Sequence, residues 1–119
     1  MASWMRTWSL VLENPRGVEL KKQLDEALPK SEVLVAVKAN AYGHGAVAVS
    51  QMIEATGAAD WLGVATVAEA LELRASDIEL PILKLSVARG PEVEAAVAAG
   101  VALCVVDAAS IVEAADAAV

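Results

Sequence analysis

Phenylalanine is absent from this chain, and cysteine, histidine and tyrosine occur once each. A lone Cys104 excludes an internal disulfide and any site built from several thiolates. Its apolar setting, V-A-L-C-V-V, reads as that of a small core residue. Without phenylalanine, a composition that is still 57% hydrophobic suits close packing of helices on a sheet through small side chains. Basic residues are also scarce: nine Lys and Arg stand against sixteen Asp and Glu, for a net charge of −7. None of the nine form a stripe, which argues against nucleic acid and against an anionic membrane surface. No apolar run reaches transmembrane length and nothing near Met1 has the layout of a signal peptide, so cytoplasmic residence is expected. The sequence shows no metal-ligand spacing, no nucleophile elbow and no carboxylate pair spaced for acid/base work; its acidic residues read as solvated helix faces.

What the chain does have is one run that calls for explanation, V-L-V-A-V-K-A-N-A-Y-G-H-G over residues 33–45. Five apolar residues in succession predict a strand over 33–37, buried on both faces of a parallel sheet. A loop of small residues over 39–45 follows, then a helix over 46–56. Lys38 therefore stands at the carboxyl end of a strand, where chemistry sits in parallel α/β architectures. Loss of hydration there disfavours the charged amine and makes it a nucleophile in waiting. Spacing alone equally permits a lysine whose stem packs on the rim while its ammonium reaches water.

The rest of the chain repeats one unit. A strand over 8–12 and a helix over 18–28 precede the Lys38 unit, with a break at Asn14, Pro15, Arg16 and Gly17 and a stop at Pro29. After it come a strand over 61–65 with a helix over 67–75, a strand over 81–86 with a helix over 91–99, and a strand over 101–106 with a helix over 108–118. Thr66 with Glu69 forms a capping box, Pro91 suits a first helical turn, Asp107 is an N-cap, and Gly57 and Gly100 fall where helices end. Strands alternating with helices predict a parallel α/β sheet with right-handed connections, and about five of the eight strands of a TIM (β/α)8 barrel. Unpaired edges and an uncovered inner face would favour a homo-oligomer.

The segment V-K-A-N-A-Y-G-H-G resembles the pyridoxal phosphate signature of the alanine racemases, and a match of this length is more specific than a lone glycine loop. W-L-G-V-A-T-V-A-E-A-L-E-L-R over 61–74 and P-I-L-K-L over 81–85 are similar to the segments that follow in that family. The resemblance implies that Lys38 holds pyridoxal 5′-phosphate as an internal aldimine and then carries a proton on one face of the substrate Cα. It also implies that the Tyr42 hydroxyl contacts the cofactor phosphate and that Leu85 lines the cofactor pocket, although ordinary barrel core explains Leu85 equally well. Gly43 and Gly45 read as enablers of a sharp turn, and Asn40 as its organiser. His44 reads as structural, turned into the helix. Lys84 departs from the apolar residue usual at its position, with no evident destination for its charge.

The family implies a whole barrel, which takes about 250 residues, followed by a mostly β carboxyl-terminal domain, so 119 residues read as an amino-terminal portion with that domain absent. The second base of the family, a tyrosine from the partner subunit, has no counterpart here. The expected activity is interconversion of L- and D-alanine for cell-wall precursors, with the short chain alone inactive or nearly so. A module that captures the cofactor without turnover, and a ligand-free structural remnant, are the competing readings.

Overall fold

The structure, a computed structural model, describes Lys22, Gln23, Glu26, Ala27 and residues 32–119. The chain divides into two units, Met1–Val33 and Leu34–Val119. In the first, Lys22, Gln23, Glu26 and Ala27 are helical, and Lys22 pairs with Glu26 across one turn at 3.9 Å. The strand expected over 8–12, the break at residues 14–17 and the stop at Pro29 lie outside the described residues.

The second unit is a four-stranded parallel sheet in the order β1 (Leu34–Ala36), β2 (Trp61–Val64), β3 (Ile82–Val87), β4 (Val101–Cys104). Successive strands are neighbours and are joined by helices α1 (Ala46–Thr56), α2 (Val67–Ala75) and α3 (Pro91–Ala98), with α4 (Ala108–Ala117) after β4. Right-handed crossovers between sequential neighbours put every helix on one side of the sheet, and consecutive helices do touch one another. This is the partial (β/α)8 architecture that the sequence pattern predicts.

Register shows which face the helices cover. Val35, Leu62, Ile82 and Val101 form one row across the sheet, and Val64 pairs with Lys84 one step further along. Leu62, Val64 and Ile82 are fully buried, together with Ile53 of α1, Leu73 and Ala70 of α2 and Ala96 of α3. Each large apolar side chain buried this way contributes about 1.5–3 kcal/mol. The opposite row, Leu34 with Trp61 and Ala36 with Gly63 and Leu83, belongs to the inner face of the barrel. There Leu34 and Leu85 keep 37% and 40% of their surface exposed.

The helix ends follow their residues. Thr66 Oγ1 accepts from the Glu69 N–H at 3.1 Å and Glu69 Oε1 accepts from the Thr66 N–H at 3.0 Å, closing the expected capping box. Asp107 and Ser110 close a second one on α4. Gly57 ends α1 at φ 67°, a left-handed residue that a side chain would strain.

At the opposite end of the sheet, Arg74 of α2 is a bracket. Its guanidinium donates to the carbonyls of Ala99 (2.9 Å), Ile78 (2.7 Å), Leu80 (2.8 Å) and Gly100 (3.3 Å), tying together the segments that enter β3 and β4. Glu54 Oε2 accepts from the amides of Glu79 and Leu80, both at 2.8 Å. The expectation that the acidic residues merely form solvated faces is therefore corrected for Glu54, as it is for Glu69, Glu92 and Glu113 below. A carboxylate facing unpaired loop amides makes charge-assisted hydrogen bonds that a surface position lacks.

Candidate active site

The run around Lys38 folds more tightly than a loop. The strand stops at Ala36, the Val37 amide makes one more sheet bond to Gly63 O at 2.8 Å, and a helical turn spans Lys38–Tyr42. Ala39, Asn40, Ala41 and Tyr42 all have φ between 52° and 56°, so the turn is left-handed. The expected loop over 39–45 is thus corrected in its first half. Ala39, Ala41 and Tyr42 each carry a Cβ and so meet the steric cost of this conformation, which Asn40 tolerates best.

Local bonds stabilise the turn. The Ala41 N–H donates to Val37 O at 2.8 Å, the Gly45 N–H to Asn40 O at 2.9 Å, and the Ala46 N–H to Asn40 Oδ1 at 2.8 Å. Asn40 thus organises the segment and satisfies the first amide of α1. Gly43 and Gly45, at φ 89° and 90°, carry the chain out of the turn. His44 is exposed rather than turned into the helix. One bond comes from far away: the Ala39 N–H donates to Glu69 Oε2 at 3.0 Å.

Lys38 is half-buried, and its ammonium has no hydrogen bond or ion pair among the described residues. Tyr42, four residues on, is 65% exposed, and its hydroxyl is likewise uncommitted. Leu85 lies on the inner face of β3. A Cβ at Gly63 would come within 2.7 Å of Leu34 Cδ2 and within 3.1 and 3.3 Å of the two Leu85 methyls. Leu34 and Leu85 therefore close over the bare backbone of Gly63, making a flat apolar floor. Lys38 and Tyr42 share one turn after β1, and Leu85 lies beside β1's leucine two strands away.

Lys84 is the residue whose place the sequence left open. It is 4% exposed, on the helix side of the sheet, and its Nζ donates to Ser86 Oγ at 2.9 Å and to the carbonyls of Ser86 and Val87 at 3.2 Å each. Glu92 lies 4.0 Å away. The bonds are possible because β3 bulges. Leu83 pairs with Ala102, but the next pair is Val87 with Cys104, so extra β3 residues arch out and turn carbonyls toward the ammonium. In the same bulge Cys104 Sγ donates to Lys84 O at 3.2 Å, and β4 stops there rather than at residue 106. Arg89 completes the edge, with Asp107 Oδ2 at 3.2 Å and Glu113 Oε2 at 3.7 Å. A cleft of about 390 Å³ between α3 and α4, lined by Pro91, Glu94 and Glu113 among others, contains none of Lys38, Tyr42 or Leu85.

The comparisons with known proteins follow the same residues. The family model "Alanine racemase, N-terminal domain" matches residues 20–119. The chain belongs to this alanine racemase family. Among relatives, the alanine racemase of Cutibacterium acnes is 58% identical over 76 residues, covering 64% of this chain and 20% of that protein. The alanine racemase of Mycobacterium ulcerans is 43% identical over 95 residues, covering 80% and 24%. Among solved structures, alanine racemase of Clostridium difficile 630 in complex with cycloserine superposes with a TM-score of 0.71 at 28% identity, over 87% of this chain and 29% of that one. The chain thus spans about a fifth to a quarter of the length of these relatives. In the racemase fold, β1 to β4 are consecutive strands of the barrel, and the turn carrying Lys38 and Tyr42 lies at their carboxyl ends. No group of His, Cys, Asp and Glu among the described residues could hold a metal ion. No helix among them is long and apolar enough to cross a membrane.

Proposed function

We propose that this chain carries the lysine half of a pyridoxal phosphate-dependent alanine racemase, an isomerase interconverting L- and D-alanine, as the amino-terminal part of a barrel enzyme with a carboxyl-terminal β domain. The observation that carries this reading is Lys38: a half-buried amine at the carboxyl end of a parallel strand, with no carboxylate to neutralise it among the described residues.

The surroundings fit the cofactor. Lys38 Nζ would hold its aldehyde carbon, the Tyr42 hydroxyl would donate to its phosphate, and Leu85 would border its ring above the Gly63 floor. Pyridoxal phosphate, when bound, supplies an electron sink that makes the Cα proton of an attached amino acid acidic. Lys38 Nζ would hold or return the proton on one face of the substrate Cα. The half-buried position limits the water that competes for the same proton.

Inversion needs a second proton carrier on the opposite face. Tyr42 is the sole tyrosine and would be engaged with the phosphate, so the 119 residues alone are expected to be inactive or nearly so. The same shortage favours a second reading, cofactor capture without turnover. The intact enzyme would be a cytoplasmic homo-oligomer, supplying D-alanine for cell wall. Among the described residues β4 pairs with β3 alone, which leaves an edge for further strands.

Pyridoxal phosphate followed by borohydride should add the reduced cofactor's mass to the Lys38 peptide and to no other. Lys38→Ala should abolish the adduct. An adduct spread evenly over the surface lysines would sink the reading. Racemisation by the purified chain at the rate of a complete enzyme would overturn the expectation of inactivity.

A further inference from the structure

We propose that Glu69 is a positioning residue for Lys38, a role that rests on Lys38 being the cofactor-holding amine. Four successive L-residues, Ala39 to Tyr42, lie in the left-handed region, where the Cβ of each crowds the following carbonyl oxygen. Such conformations persist only where the surroundings over-determine them. The local bonds from Val37, Asn40 and Gly45 all arise within the segment itself. They close the turn and join it to α1, but give it no tie to an element distant in sequence.

Glu69 supplies that tie. Its Oε2 accepts from the Ala39 N–H at 3.0 Å, across thirty residues of chain. Its Oε1 accepts from both the Thr66 N–H at 3.0 Å and the Thr66 Oγ1–H at 3.1 Å. Both oxygens are engaged, so the carboxylate cannot swing without losing bonds at the amino end of α2. The peptide unit joining Lys38 C=O to Ala39 N–H is planar. Holding its N–H therefore holds ψ of Lys38, and with it the direction in which the Cα–Cβ bond leaves the backbone. Glu69 sits one residue from the amine yet forms no ion pair with it, because its charge is turned to amides. The result is a fixed lysine that keeps its nitrogen uncommitted.

This predicts that a defect in Glu69 shows in reactivity at Lys38 beyond any loss of stability. Glu69→Gln keeps the shape but turns one acceptor oxygen into an amide nitrogen, so the side chain can no longer accept from the Ala39 N–H and the Thr66 N–H at once. Thr66→Ala is the comparator, since it removes the capping hydroxyl and leaves the Glu69 bond to Ala39 in place. Each variant is treated with pyridoxal phosphate, adducts are trapped with borohydride, and rates at Lys38 are compared per folded molecule. Amide hydrogen exchange is followed at Ala39.

We expect Thr66→Ala to react within twofold of the unsubstituted chain with Ala39 still protected. Glu69→Gln should react tenfold or more slowly, with exchange at Ala39 accelerated at least tenfold. Glu69→Asp, which keeps the charge but is one methylene short of spanning both partners, should fall between, and it serves if Glu69→Gln does not fold. Equal rates for the Glu69 and Thr66 variants, or an Ala39 amide indifferent to Glu69, would overturn the proposal. If the unsubstituted chain yields no adduct at Lys38, the cofactor reading falls by itself. The clamp is then decided by exchange at Ala39, where loss of protection in Glu69→Gln upholds the tie and unchanged protection rejects it.

Discussion

Lys84 Nζ lies 2.9 Å from Ser86 Oγ, two residues along the same bulged strand. The pair shows how a buried lysine is accommodated without a close carboxylate. The bulge brings two carbonyls and one hydroxyl to the ammonium, and Glu92 stays at 4.0 Å with its side chain 41% exposed. Removing both the charge and its desolvation is often neutral or stabilising, whereas removing one partner leaves the charge under-satisfied. Lys84→Met should therefore change stability by less than about 1 kcal/mol, and Ser86→Ala should cost about 1–2 kcal/mol. Urea titration of both variants checks the order, and a larger loss in Lys84→Met would contradict it.

Arg74 carries a heavier load. Its guanidinium serves four carbonyls in two segments, and truncation leaves those oxygens without their donor. Arg74→Ala should cost about 3 kcal/mol, given that hydrogen bonds to charged groups contribute about 1.5–3 kcal/mol each and do not add fully. Arg74→Lys should recover little of it, because a single ammonium lacks the planar fork that reaches both segments. Thermal and urea denaturation measure both.

Gly63 tests the floor. An added methyl would meet Leu34 at 2.7 Å and Leu85 at 3.1 Å, both at the ends of flexible side chains, so the leucines must shift rather than the backbone. Gly63→Ala should cost about 1–2 kcal/mol by overpacking. Pairing it with Leu34→Ala should give less than the sum of the single losses, because the two sites share one space. Strict additivity would show that the leucine does not rest on the glycine.

The Asp107 carboxyl is held below its ordinary value, chiefly because the Ser110 amide and hydroxyl bond to it and then because Arg89 lies beside it. A carboxyl depressed in the folded state contributes stability that is present above its unfolded pKa and is lost as pH falls through the folded one. Acid titration of the unsubstituted chain should thus show a loss of stability beginning near the ordinary aspartate range. In Asp107→Asn that part of the pH dependence should vanish. An unchanged acid profile would mean that the α4 cap contributes nothing to it.

Much of this protein was legible from local pattern. The spans of α1 and α2, the Thr66 and Asp107 caps, the Gly57 stop, the parallel order and the placing of Lys38 at a strand end all follow from short-range periodicity and turn chemistry, which neighbouring residues specify. Errors gathered where the chain departs from regular geometry. The 39–45 segment tightened into a left-handed turn, and β4 stopped short at the bulge. Neither departure has a periodic signature, because each depends on hydrogen bonds that form only after folding.

The amino acids by themselves determined that a parallel α/β sheet would form, which residues alternate across it, and that one amine stands where chemistry in such sheets occurs. Alternation names two faces but does not say which one the helices cover. Only the packed structure decided that Lys84 is enclosed while Leu34 and Leu85 stay half open. Nor can a capping box disclose that its second oxygen reaches Ala39, thirty residues upstream. Caps and periods are short-range and written in neighbouring residues, whereas that bond exists only once two separate strand ends are brought side by side.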